Sequence, residues 1–247
     1  MRKLQRVELS EHALRTLWNN TVGIVEAGYP KYSAKARRDE AKRRWDQKPD
    51  VAFAEVRSTL REMAPGIERC MYCESNEGTH IEHFWPRRLA PCRTFDWHNL
   101  LLACETCNSN YKRDKFPRKN GKPLLINPVE DDPRKHLQLN RTGKFVPLTD
   151  EGKASISVFG LDRGPLERTR EDAWVTVDGL IGSFANACRR GNSALSLAIQ
   201  KALCRYPFSS VFVAIIDAAN KPGASESLSV ECLSALETHP EIKTWLL

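Results

Sequence analysis

The chain has 247 residues, 41% of them hydrophobic and 28% charged, with a formal net charge of +7. That size and balance suit a globular protein of one large domain or two small ones with ample core. No stretch approaches the roughly 18–20 apolar residues of a membrane span, so no membrane partner is expected.

The N-terminus, MRKLQRVELSEH, is basic but has no apolar core of the kind a secretory leader needs. With eight cysteines in the chain, the reading is a reducing, cytoplasmic protein. Residues 1–65 read as helical. Ser10 is placed to cap a helix running through Trp18, and Gly28-Tyr29-Pro30 marks a break. A second helix is expected from Lys31 to Trp45, dense in Lys35, Arg37, Arg38, Lys42, Arg43 and Arg44. A third is expected over Val51–Met63, capped by Asp50 and ended by Pro65-Gly66. A charge run of this kind is commonly a solvated helix face, and contact with nucleic acid is the other reading. The basic excess lies in the first two thirds of the chain, which suits a phosphate-backbone partner.

The densest signal lies in residues 66–122. Two Cys-x-x-Cys pairs, Cys70/Cys73 and Cys104/Cys107, offer four thiolates. Four thiolates make a closed tetrahedral shell for a structural zinc ion, whereas disulfides are the reading for an oxidising compartment. The loop between the pairs is longer than in a zinc ribbon and is too polar to fold by burial alone, so an ion clamping it would add the missing stability. Within that loop, His80-Ile81-Glu82-His83 alternates polar and apolar residues before Phe84-Trp85-Pro86. It reads as a strand ended at a proline turn. Asp96 to Cys104 reads as a second short strand or loop entering an apolar run. Asn108 onward reads as a helix starting at the second cysteine turn. Strand, loop, strand and helix pinned by zinc would gather His83, Asn99 and Asn108. Cys92 has no partner at ligand spacing, and His98 reads as structural.

An acidic residue followed by His, then Asn-Leu, then Cys-x-x-Cys-Asn resembles the signature of HNH nucleases, the ββα-metal fold. The wider pattern is IEHFWP, TFDWHNLLLAC, LLINPVEDDP and a later GLDR. Over about Cys70 to Arg170 it resembles the PtuB family, the HNH nuclease subunits of Septu-type and retron-linked anti-phage systems. The resemblance implies that Glu82 and Asn108 hold a catalytic divalent metal, most simply magnesium, with His80 a weaker third candidate. It implies His83 as general base and Asn99 as the residue that holds the loop and orients His83. A lysine shortly after the metal-binding Asn meets a phosphate in many such proteins. Lys112, four residues on, is the candidate here, with Lys115 as the fallback. The resemblance also implies an ATPase partner of the ABC/SMC-like class (PtuA-like).

Residues 123–160 are rich in turn signals, with short apolar runs at Leu124–Ile126, Leu137–Leu139, Lys144–Val146 and Ile156–Phe159, and read as a small β-appendage. Residues 161–247 read as a helical region. A helix begins at Gly164-Pro165, with Leu166, Arg170, Trp174, Val177, Ile181 and Phe184 on one face. Further helices are expected at Leu195–Leu203, Phe208–Ala219 and Leu228–Leu236, as a packed bundle or as a docking surface.

The expected fold is therefore α+β, mostly α, with a zinc-stabilised ββα-metal core between helical flanks. The expected function is metal-dependent endonucleolytic hydrolysis of DNA within an anti-phage complex. RNA such as tRNA is an alternative substrate. A zinc-stabilised nucleic-acid adaptor without catalysis is the alternative from another class.

Overall fold

The computed structural model describes residues 1–30 and 33–246; Lys31 and Tyr32, at the expected start of the second helix, lie outside them. The described residues are mostly helical, with three two-stranded antiparallel sheets. No single helix among them is long and apolar enough to cross a membrane.

Helix α1 (Glu11–Ala27) starts where Ser10 Oγ accepts the Ala13 amide, and it runs well past the Trp18 end expected from the sequence. Helix α2 (Ala34–Asp46) is capped by Ser33, whose hydroxyl accepts the Ala36 amide. Among its residues only Ala41 is fully buried, and Trp45 is partly so. Its own ion pairs, Lys35–Asp39 and Lys42–Asp46 at four-residue spacing, add modest helical support. Helix α3 (Asp50–Met63) begins one residue earlier than expected, with Asp50 inside the first turn. There its carboxylate meets the positive end of the helix dipole rather than capping an amide. Helices α2 and α3 both pack on α1.

Strand β1 (His80–His83) pairs with β2 (Leu100–Ala103), with Glu82 opposite Leu101 and His83 opposite Leu100. All of β2 is buried, so this ladder lies at the centre of the core. A π-helical segment, Thr106–Lys112, follows. A tight hairpin joins β3 (Arg118–Lys119) to β4 (Lys122–Pro123). Asn120 and Gly121 take positive φ between them, as an Asn-Gly hairpin turn requires. Strands β5 (Leu137–Leu139) and β6 (Phe145–Pro147) form the third pair.

The run Ile156–Phe159, expected as a strand, is instead the last turn of helix α4 (Asp150–Phe159). Thr149 caps α4 by accepting the Gly152 amide, two acidic residues occupy its first turn, and Gly160 ends it in the left-handed conformation. The expected C-terminal helices are all present: α5 (Gly164–Arg189), α6 (Ser193–Arg205), α7 (Ser209–Ala219) and α8 (Val230–Thr238). Every residue expected on the α5 stripe is buried. Helix α5 packs on α6, α7 and α8.

Candidate functional site

Two polar centres flank the β1–β2 ladder. The first is the cysteine cluster. Cys70 and Cys73 lie on a turn closed by the Glu74 amide donating to Cys70 O at 2.9 Å. Cys104 and Cys107 lie where β2 gives way to the π-helical segment. The four sulfurs are buried and lie within 4.8 Å of one another, and Cys73 Sγ is 3.8 Å from Cys104 Sγ. Zinc–sulfur bonds of about 2.3 Å at tetrahedral angles give sulfur–sulfur edges of about 3.8 Å. The cluster therefore fits zinc.

Its surroundings anchor it to three other elements. The Met71 amide donates to Leu102 O at 2.9 Å, tying the first turn to β2. Tyr72 stacks on Phe159 of α4 with centroids 3.9 Å apart. Buried Glu74 accepts the Ser210 amide of α7 at 3.0 Å and faces the Met1 amine at 3.3 Å. Arg163, in the GLDR motif, lies 3.8 Å from Cys107 Sγ and donates to Gly160 O at 2.7 Å. A guanidinium beside a thiolate pulls charge off the sulfur and orients it. The sequence holds Arg163 in plain view, but nothing in its spacing ties it to Cys107.

The second centre is a cleft of about 620 Å³, lined by Glu82, His83 and Asn108 on one side and by α2 on the other. His83 ends β1 and is only 7% exposed. Its Nε2 lies 2.9 Å from the Thr94 carbonyl. A carbonyl only accepts, so Nε2 carries the proton and Nδ1 keeps its lone pair. Burial lowers the His83 pKa to about 3, helped by nearby Arg87, so the ring is neutral near pH 7.

Asn99 sits behind this arrangement. Its Oδ1 accepts the Trp85 amide at 2.7 Å, and its Nδ2 donates to Trp85 O at 3.1 Å and Arg93 O at 2.9 Å. One side chain thus closes the loop from Trp85 to Arg93, next to the Thr94 carbonyl that fixes His83. The side-chain hydrogen bonds of Asn99 go to that loop, whose next residue, Thr94, holds His83. His98 points elsewhere, exposed and 3.5 Å from Glu130.

Asn108 lies across from β1, with Nδ2 3.5 Å from His80 Nδ1. The π-helical turn that carries it is closed by the Arg113 amide donating to Asn108 O at 2.7 Å. An α-helix would put Lys112 on the same face as Asn108. Instead Lys112 is completely buried, its Nζ 2.5 Å from Glu82 Oε1 and donating to His83 O at 2.9 Å. Lys112 lies beneath the strand, bound to the carboxylate expected to bind metal. Burial pushes the Glu82 carboxyl up, and the Lys112 charge opposes this. Lys115 is exposed and outside the cleft lining. Glu82 and Asn108 line the cleft with oxygen donors of the kind a magnesium-like cation takes, and His80, outside the cleft lining, adds a ring nitrogen beside Asn108.

The contribution of α2 escapes a motif search. The Trp45 ring meets His83 edge-on with centroids 4.3 Å apart, and also contacts Phe53 and Phe95. It is the only tryptophan on a helix otherwise rich in charge, and that isolated apolar residue is the signal in the sequence.

No family model matches the chain. A search of curated proteins found "Septu protein PtuB" of Bacillus mycoides (strain KBAB4), 32% identical in an alignment of 155 residues that spans 50% of this chain and 51% of that one. The chain thus spans about half the length of the curated relative it matches, and over that half it resembles PtuB.

Proposed function

We propose that the chain is a metal-dependent HNH endonuclease that hydrolyses phosphodiester bonds in DNA. In this reading it is the effector of an anti-phage complex with an ATPase of the ABC/SMC-like class. The observation that carries the chemistry is the neutral, buried His83, held by the Thr94 carbonyl so that its second nitrogen is free to take a proton. The similarity to Septu protein PtuB supports the defence role.

His83 Nδ1 accepts a proton from water as the water oxygen bonds to phosphorus and the bond to the leaving oxygen breaks. The low basicity of the buried ring rises once an anionic phosphodiester lies beside it. Asn99 keeps the loop, and through it the Thr94 carbonyl, in register. Glu82 and Asn108, with His80 as a weaker third, would hold the divalent cation, which when bound supplies positive charge to the phosphate oxygens. Lys112 opposes the burial that raises the Glu82 pKa and ties the carboxylate to the β1 backbone. Zinc held by Cys70, Cys73, Cys104 and Cys107 would be structural, because four thiolates fill its shell.

The test compares wild type with His83→Ala on plasmid and on total tRNA with magnesium, with and without an ATPase of the ABC/SMC-like class. Cleavage by the wild type, reduced about 10²–10⁴-fold in the variant at unchanged zinc content, is expected. The polymer that is cut decides between DNA and RNA. Salt-sensitive binding with no cleavage under any condition would replace this reading with the adaptor.

A further inference from the structure

The cleft has two walls, and only one belongs to the Glu82–His83 strand. The other is α2, which lies outside the sequence motif. The cations on these walls are not equivalent. Lys42 is 2.8 Å from Asp46, and Arg88 is 3.4 Å from Asp114. Lys112 is held by Glu82, and Arg113 Nε donates to Ser109 O at 3.0 Å. Arg38 and Arg87 line the same cleft, and among the described residues neither has a carboxylate within ion-pairing distance.

Arg87 is half-buried, its guanidinium carbon 5.4 Å from the centroid of the Trp45 ring that packs on His83. It therefore stands one ring away from the proposed base. A half-buried guanidinium loses hydration, and the loss is recovered when an anion enters. Its planar fork matches phosphate oxygens in pairs.

We propose that Arg87 and Arg38 are the phosphate-binding side chains of the cleft. Arg87 holds the phosphate beside His83, and Arg38 holds a neighbouring phosphate along α2, so the strand lies between the two walls. The phosphate contact that the family resemblance implies for Lys112 passes to Arg87, because Lys112 is enclosed beneath β1. This rests on the nuclease reading and adds the path of the substrate.

The experiment measures binding of a fluorescent single-stranded oligonucleotide to the full chain in a His83→Ala background, by anisotropy across a series of potassium chloride concentrations. Each phosphate contact contributes about 0.7 to the slope of log affinity against log salt for a single strand. Arg38→Ala and Arg87→Met are each expected to lower that slope by about 0.7 and to weaken binding several-fold. Arg87→Lys should retain the slope, and Arg190→Ala, exposed and outside the cleft lining, should change nothing. Met keeps a long side chain over Trp45 without the charge. If Arg87→Met binds with the wild-type slope, Arg87 only braces Trp45 and the proposal is overturned. Unchanged cleavage by both variants in the wild-type background would likewise overturn it while leaving the nuclease reading intact. An absence of both binding and cleavage in the parent protein would sink the two together.

Discussion

The cysteine cluster and the cleft lie on either side of one short ladder, and they are built on opposite principles. The cluster brings four like ligands together from two turns, and each turn is fixed by its own backbone hydrogen bond. Its donors would all be spent on one ion, and its neighbours Tyr72, Glu74 and Arg163 brace it against α4, α7 and the start of α5. The cleft brings unlike groups from β1, the π-helical segment and α2. They are buried deeply enough to perturb their charges, yet they face an open volume. A closed shell holds a fold, whereas an unevenly paired set of charges around a cleft is suited to a ligand that comes and goes.

The largest expected effect breaks the closed side. Cys73→Ser or Cys104→Ser removes one of four thiolates, and Arg163, Tyr72 and Met71 lose the platform they brace. We expect zinc content to fall from one equivalent per chain to near zero, and the cooperative unfolding transition to be lost with it. Elemental analysis beside circular dichroism checks this. Cys92→Ser, whose sulfur lies outside the cluster, should keep both. A Cys73→Ser protein that is metal-free and still unfolds cooperatively at the wild-type temperature would remove zinc from the account of the fold.

A smaller effect probes the inner edge of the cleft. Lys112 is fully buried against Glu82. Removing one partner of a buried ion pair leaves an uncompensated charge and typically costs about 3–5 kcal/mol. Lys112→Met should therefore destabilise the chain on that scale by urea unfolding. Adding Glu82→Gln should return much of the loss, because no buried charge then remains. If the double variant is no more stable than the single one, the pair is not the source of the effect. If Lys112→Met unfolds like the wild type, the ammonium is not buried in solution.

Much of this was legible in the chain, and the exceptions divide between local signals outweighed by their neighbours and contacts made only by packing. The cysteine pairs, the HIEH strand, the capping Ser10 and the α5 stripe are local patterns, and all appear as expected. Ile156–Phe159 reads as a strand by its apolar residues, but Thr149, Asp150 and Glu151 start a helix just before it. Asn120-Gly121 is a plain hairpin signal hidden among basic residues. The resemblance implies a phosphate contact for Lys112, and the π-helical turn after Cys104 sends it under the strand instead. Spacing alone does not announce a π-turn. Trp45 and Arg163 meet His83 and Cys107 across 38 and 56 residues, which is a matter of packing rather than pattern.

The smallest expected effect tests whether His83 is as enclosed as its 7% exposure indicates. In the unfolded chain its imidazole titrates near its ordinary 6.5; in the fold, burial and the Arg87 charge hold it near 3. Between those values the unfolded chain takes up a proton that the folded chain refuses. Folding stability is therefore fully retained above about pH 6.5 and falls as the solution becomes more acidic, by about 1.4 kcal/mol per pH unit until about pH 3. His83→Gln cannot titrate, so the difference between its urea-derived stability and that of the wild type should carry this slope between pH 6 and pH 4. The subtraction cancels the other titrating groups, including Glu82, whose raised pKa acts in the opposite direction. A flat difference would mean that water reaches the imidazole in the free protein. The cleft would then be more open than the contact between Trp45 and His83 implies, and α2 would be a movable wall rather than a fixed one.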